Sequence, residues 1–257
     1  MKLLAVLAGA AALTTPAGYV GAQQRPDGGF GDAQVTAWAT LGLLAAGAET
    51  GGATGFLARQ EPVTQTDAAL VAMARAAAGD RPADLLPRLR AHRPGKLVNA
   101  TIWTILALRQ AGEPAPRELV GKLLAAQRPS GGWAWLAGGA ADANDTAAAL
   151  QALRAAGVRG RSIDRGVAFL RRHQNRDGGF ELTQGRGSDT QSTAWAIQGL
   201  LAAGRSPGAP AFRYLARMRR PDGSYRYSAR YVTTPLWVTA QVLPALNRQP
   251  FPLRVGR

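Results

Sequence analysis

The sequence has no cysteine and only two histidines, His92 and His173. Without cysteine there are no disulfides, no thiolate metal sites and no cysteine nucleophile. Zinc needs several nitrogen, sulfur or carboxylate ligands converging. The chain offers no such spacing, so neither a metal nor another cofactor is expected. Both histidines fall at the ends of expected helices, where an imidazole suits the helix dipole, and His173 is expected on the surface. Acids are also scarce, with 16 Asp and Glu against 31 Lys and Arg. No GxSxG elbow, phosphate-binding loop or HExxH element is present. After the first residues, no apolar run is long enough to span a membrane.

The net charge is +15 and the basic residues are nearly all arginine. Such a surface suits anionic partners such as lipid headgroups or wall polymers. A coding bias that raises Arg and Ala together would give the same composition. The arginines are scattered, and no basic block with interleaved aromatics marks a nucleic-acid site. Hydrophobic residues make up 46% of 257 positions, enough for a sizeable core.

Residues 1–17 read as an export signal: Lys2, then an apolar run from Leu3 to Leu13, then Thr15-Pro16-Ala17 as a small-residue cleavage site. The same stretch also suits the first helix of the fold. On the export reading, residues 18–257 form one secreted or extracytoplasmic domain.

Within that domain one phrase recurs. It appears as Gln24-Arg-Pro-Asp-Gly-Gly-Phe30, Gln127-Arg-Pro-Ser-Gly-Gly-Trp133, Gln174-Asn-Arg-Asp-Gly-Gly-Phe180 and Arg219-Arg-Pro-Asp-Gly-Ser-Tyr225, with weaker copies starting at Gln60 and His92. Each copy follows an amphipathic stretch and precedes a more apolar, Ala-rich one. The second stretches end at Gly47, Gly79, Gly112, Gly157 and Gly204, with Asn247 in the last copy, and these are helix C-cap residues. The Asp-Gly-Gly element is turn chemistry. Each unit therefore reads as helix, turn, helix. The second helices are apolar nearly all round and belong inside; the first carry an Arg-rich outer face. With no polar capping repeat, a closed ring is favoured over an open solenoid. The expected fold is all-α, an α/α toroid of six hairpins.

The phrase Arg165-Gly166-x-x-Phe169-Leu170-x-x-x-Gln174-x-x-x-x-Gly179-Phe180 resembles the QW repeat of squalene–hopene and oxidosqualene cyclases and of prenyltransferase β subunits. The resemblance covers about residues 13–250. It implies a toroid with a central cavity, and scaffold roles for Gln24, Gln127, Gln174, Phe30, Trp133 and Phe180.

Aligning the second helices on their terminal glycines puts Trp38, Trp103 and Trp195 at one level, with Trp237 close by. These tryptophans suit either a cavity wall or packing between inner and outer helices. Four residues earlier stand Gln34, Thr66, Asn99, Asn144, Gln191 and Thr233. In a closed ring they would form a polar girdle at one cavity mouth, or else brace helix starts locally. Trp135, Tyr227 and Tyr231 would sit on mouth loops.

Asp142-Ala-Asn144-Asp145-Thr146-Ala147 resembles the Asp-x-Asp-Asp-Thr-Ala element in which squalene–hopene cyclases carry their alkene-protonating acid. Here the acid position is Asn144, and an amide cannot donate that proton. Asp32-Ala-Gln-Val-Thr-Ala37 and Asp189-Thr-Gln-Ser-Thr-Ala194 share the pattern, which points to helix capping by the leading Asp. Prenyltransferase zinc sites match no better, because Gln191 stands where their cysteine would be.

The sequence thus favours an exported, non-catalytic toroid binding a small apolar or amphiphilic ligand in its cavity, or a partner at its rim. The alternative is a divergent terpene cyclase using Asp142 and Asp145. A third reading is a structural or adhesive protein that meets anionic surfaces through its arginines. Oligomeric state is not legible.

Overall fold

The computed structural model describes residues 14–254. They form twelve α-helices in six hairpins. The outer helices are α1 (Pro16–Gly21), α3 (Ala53–Ala58), α5 (Leu86–Arg90), α7 (Arg117–Ala125), α9 (Arg161–Arg172) and α11 (Ala209–Met218). The inner helices are α2 (Ala33–Ala45), α4 (Gln65–Ala77), α6 (Val98–Gln110), α8 (Ala143–Ala155), α10 (Thr190–Ala202) and α12 (Pro235–Leu246). Each inner helix packs on the next, and α12 packs on α2, so the ring closes.

Small residues on the inner helices allow this closure. A Cβ on Gly42 of α2 would lie 2.5 Å from the Ala240 carbonyl oxygen of α12. A Cβ on Gly199 of α10 would lie 2.7 Å from the Cα of Ala147 on α8. Both contacts are closer than non-bonded atoms tolerate, so these crossings require glycine. The outer helices are amphipathic: α9 buries Ile163, Val167, Phe169 and Leu170 and leaves its arginines outward.

The recurring turn joins neighbouring hairpins. The Gln24 side-chain amide donates to the carbonyls of Gly28 and Thr50, and that of Gln127 to Gly131 and Ser162. The backbone N–H of each turn aromatic donates to a threonine of the following inner helix: Phe30 to Thr36, Trp133 to Thr146, Phe180 to Thr193 and Tyr225 to Thr239. Several arginines are also tied into the ring. Arg59, Arg88, Arg165 and Arg217 donate to turn carbonyls one hairpin away, so part of the positive charge serves the scaffold.

Asn247 is the C-cap of α12, and the left-handed residue after it is Arg248, with φ of 53°. One placement differs from expectation. His173 is buried at 8% exposure, its ring stacked 4.3 Å from that of Phe169, because the turn folds back over the end of α9. Finally, α1 runs through the 17/18 boundary: Thr15 caps it, and Arg219 donates to the Thr14 carbonyl. Most of the expected signal, residues 1–13, lies outside the described residues.

Candidate functional site

At the N-terminal ends of the inner helices the ring encloses a cavity of about 380 Å³. All six inner helices contribute to its wall, together with Trp135, Asp142 and Leu182 from the loops above.

The floor is aromatic. Trp38, Trp103 and Trp195 meet edge to face at centroid separations of 5.3, 5.5 and 5.6 Å, and Trp237 joins Trp38 at 6.3 Å. Such T-shaped pairs add about 0.5–1.5 kcal/mol each beyond area burial. The tryptophans therefore converge on the ring axis instead of packing between the barrels. Phe251 seals them from below, with its centroid 6.1 Å from Trp38 and 6.2 Å from Trp195. The C-terminal tail is held there by side-chain amides: Phe251 N–H donates to Gln151, and Leu253 N–H donates to Gln110. No repeat signal marks this plug, because it lies after the last hairpin.

Above the floor stands the polar girdle. Gln34, Thr66, Asn99, Asn144 and Gln191 all line the cavity. Three of them brace neighbouring helices as well as facing inward. The Gln34 amide donates to Asp67 on α4, that of Asn99 to Asp145 on α8, and that of Gln191 to Gln241 on α12. The sixth position departs from expectation. Thr233 is exposed, because α12 starts only at Pro235 after a left-handed Thr234. Gln241, one turn beyond Trp237, takes its place and also accepts from the Trp195 indole. Trp135 sits at the mouth, half exposed, with its carbonyl accepting from Val98 N–H. Tyr231 does not reach the cavity and instead lies under the Arg230 guanidinium. The Tyr227 carbonyl accepts from Thr190 N–H.

The girdle is charged at one place. Asp142 caps α8 by accepting from the Asp145 N–H at 2.9 Å. The repeat-wide leading aspartate does the same at Asp32 and Asp189, a capping role worth about 1 kcal/mol. Asp145 is different: its carboxyl is buried in the cavity wall, hydrogen-bonded to Asp142, and receives the Asn99 amide at 2.7 Å. Burial first, and the Asp142 charge second, push its pKa up to about 8. Burial also raises Asp142, against the hydrogen bonds it accepts. The cavity therefore presents a neutral carboxyl near pH 7.

Such a group is a hydrogen-bond donor and a weak acid. Protonating an alkene demands a far stronger acid, and the adjacent Asn144 supplies none. Among the described residues, no three His, Cys, Asp or Glu side chains converge as a metal set.

No protein-family model and no curated protein matches the chain. Solved structures do. A protein from Actinoplanes superposes with a TM-score of 0.68 at 19% identity, over 91% of this chain and 97% of its own. The apo type II terpene cyclase MstE from Scytonema gives 0.68 at 16%, over 91% and 95%. A glycosidase variant with glucose bound gives 0.66 at 12%, over 91% and 94%. The chain therefore has the α/α-toroid fold of type II terpene cyclases. A glycosidase shares that ring, so the fold alone selects no chemistry.

Proposed function

We propose that the protein is a binding toroid that takes a small apolar or amphiphilic molecule into its axial cavity, apolar body on the tryptophan floor and polar head at the girdle. The observation carrying this reading is the cavity itself. An aromatic floor under a few converging polar groups, at about 380 Å³, matches the composition and size of small-molecule sites. MstE, of the same fold, has been solved with geranylgeranyl dihydroxybenzoate as substrate, which supports an apolar occupant.

On this reading the protein does not initiate cyclisation. Asn144 stands where the resembling element has its acid, and Asp145 is too weak an acid to replace it. The cyclase alternative requires one of them to protonate a polyene. The export reading keeps residues 1–17 as the signal, with Thr15-Pro16-Ala17 as its cleavage site.

Native mass spectrometry of the protein, purified gently from its host, tests both points. The expected result is the mass of the chain shortened by its export signal, with a stoichiometric adduct that is lost on denaturation. A clean mass of the bare chain would count against the cavity reading. Turnover of a linear polyene by the wild type would overturn it.

A further inference from the structure

Resting on the cavity-binding reading, we infer that the ligand's polar head is an organic ammonium, held by its N–H donors against the oxygens of Asp145, Asn99 and Asn144 with its apolar body on the tryptophans. Three independent features of the wall lead there.

The first is what the wall lacks. Among the described residues, no lysine, arginine or histidine lines the cavity. A carboxylate or phosphate head would meet no cation and would sit beside the Asp142–Asp145 pair. Two like charges at that range in a buried site repel strongly.

The second is the direction of the amides. The donor ends of Gln34, Asn99 and Gln191 are spent sideways, between inner helices. Besides the neutral Asp145 carboxyl and the Thr66 hydroxyl, two pure acceptors remain: Asn99 Oδ1 and Asn144 Oδ1 are buried without a partner. Asn99 is 96% buried, at 4% exposure, and still faces the cavity. Leaving such an oxygen unmatched is costly, so the head that fits must donate. A hydroxyl donates once; a primary ammonium donates three times.

The third is the floor. Indole faces attract cations, more strongly once water is excluded. A cation also turns Asp145 from a neutral donor into its counter-ion: the bound ammonium keeps its protons, and the Asp145 carboxyl releases one to solvent. The charges acting on this pair are its own two carboxyls and His173, which ends α9 and faces Asp142. From α6 and α10 the neutral Asn99 and Gln191 face the same space.

The test is calorimetric titration of the full chain near neutral pH with three ligands sharing an adamantane body. One carries an aminomethyl head, one a hydroxymethyl head and one a carboxylate. The amine should bind about tenfold tighter than the alcohol, as one charge-assisted contact allows. The carboxylate should bind weakest, and only the amine should release protons, read from buffers of different ionisation enthalpy. Asp145→Asn should bring the amine down to the alcohol's affinity and abolish the proton release. Asn144→Ala, which leaves the carboxyl pair in place, should weaken the amine more than the alcohol. Equal binding of amine and alcohol by the wild type would overturn the ammonium inference and leave the cavity reading standing. Failure of all three to bind would overturn both.

Discussion

The fourth and fifth hairpins begin their inner helices in the same way and end with different chemistry. Asp142 caps α8 and Asp189 caps α10, each accepting from the backbone N–H three residues on. Thr146 and Thr193 then receive the N–H of the turn aromatic, at 2.9 and 2.8 Å. At the third position the two diverge. Ser192 adds a hydroxyl hydrogen bond to Asp189 at 2.8 Å and is buried. Asp145 puts a second carboxyl against Asp142 and faces the cavity. The capping frame is complete with serine, so the carboxyl at 145 is not required by the fold. A buried group that local structure does not need is where function is sought.

The comparison can be broken at the contact between the two helices. Gly199 leaves no room for a side chain against Ala147. Gly199→Val should cost about 3 kcal/mol, the upper range for overpacking, seen as a lower midpoint in denaturant unfolding. It should disturb the α8 wall of the cavity as well.

A sharper test removes each cap in turn. Asp189→Ala loses the N-cap and strands the Ser192 hydroxyl, and should cost about 2 kcal/mol. Asp142→Ala loses the same cap but frees Asp145 from a neighbouring charge, so its cost should be under about 1 kcal/mol. Equal costs in thermal melts would mean that the carboxyl pair carries no strain.

The last effect has the opposite sign. Asp145 keeps its proton in the folded chain up to about 8, and in the unfolded chain only to the ordinary carboxylate range, near 4. Between those values the folded state binds the extra proton, so its stability falls as pH rises. Asp145→Ser copies the fifth hairpin and removes this dependence. The variant should gain on the wild type steadily from about pH 4 to about pH 8, measured by denaturant unfolding at several pH values.

Much of this was legible in the sequence, and the exceptions have local causes. The six hairpins, the inner and outer sets and the C-terminal glycines follow from a repeated phrase and from apolar patterning, which are properties of each repeat alone. Gln34, Thr66, Asn99, Asn144 and Gln191 followed from the same register. Thr233 did not reach the girdle because Pro235 delays the start of α12, shifting the sixth repeat out of phase. His173 is covered by a tertiary contact that spacing along the chain does not encode. The Phe251 plug belongs to no repeat. Asp145 stood out in sequence only as a candidate acid of the cyclase element; its neutral state follows from its surroundings, and the Asn99 amide that holds it lies 46 residues away.

The protonation state of Asp145 carries the most weight. It can be read directly from the carboxyl ¹³C resonances of aspartate-labelled protein, with the Asp145 signal assigned by its loss in Asp145→Asn. Titration from about pH 5 to about pH 9 should show that signal protonated at neutrality and changing near 8. A signal already ionised at the low end would contradict the neutral-acid cavity and leave Asp145 an ordinary carboxylate.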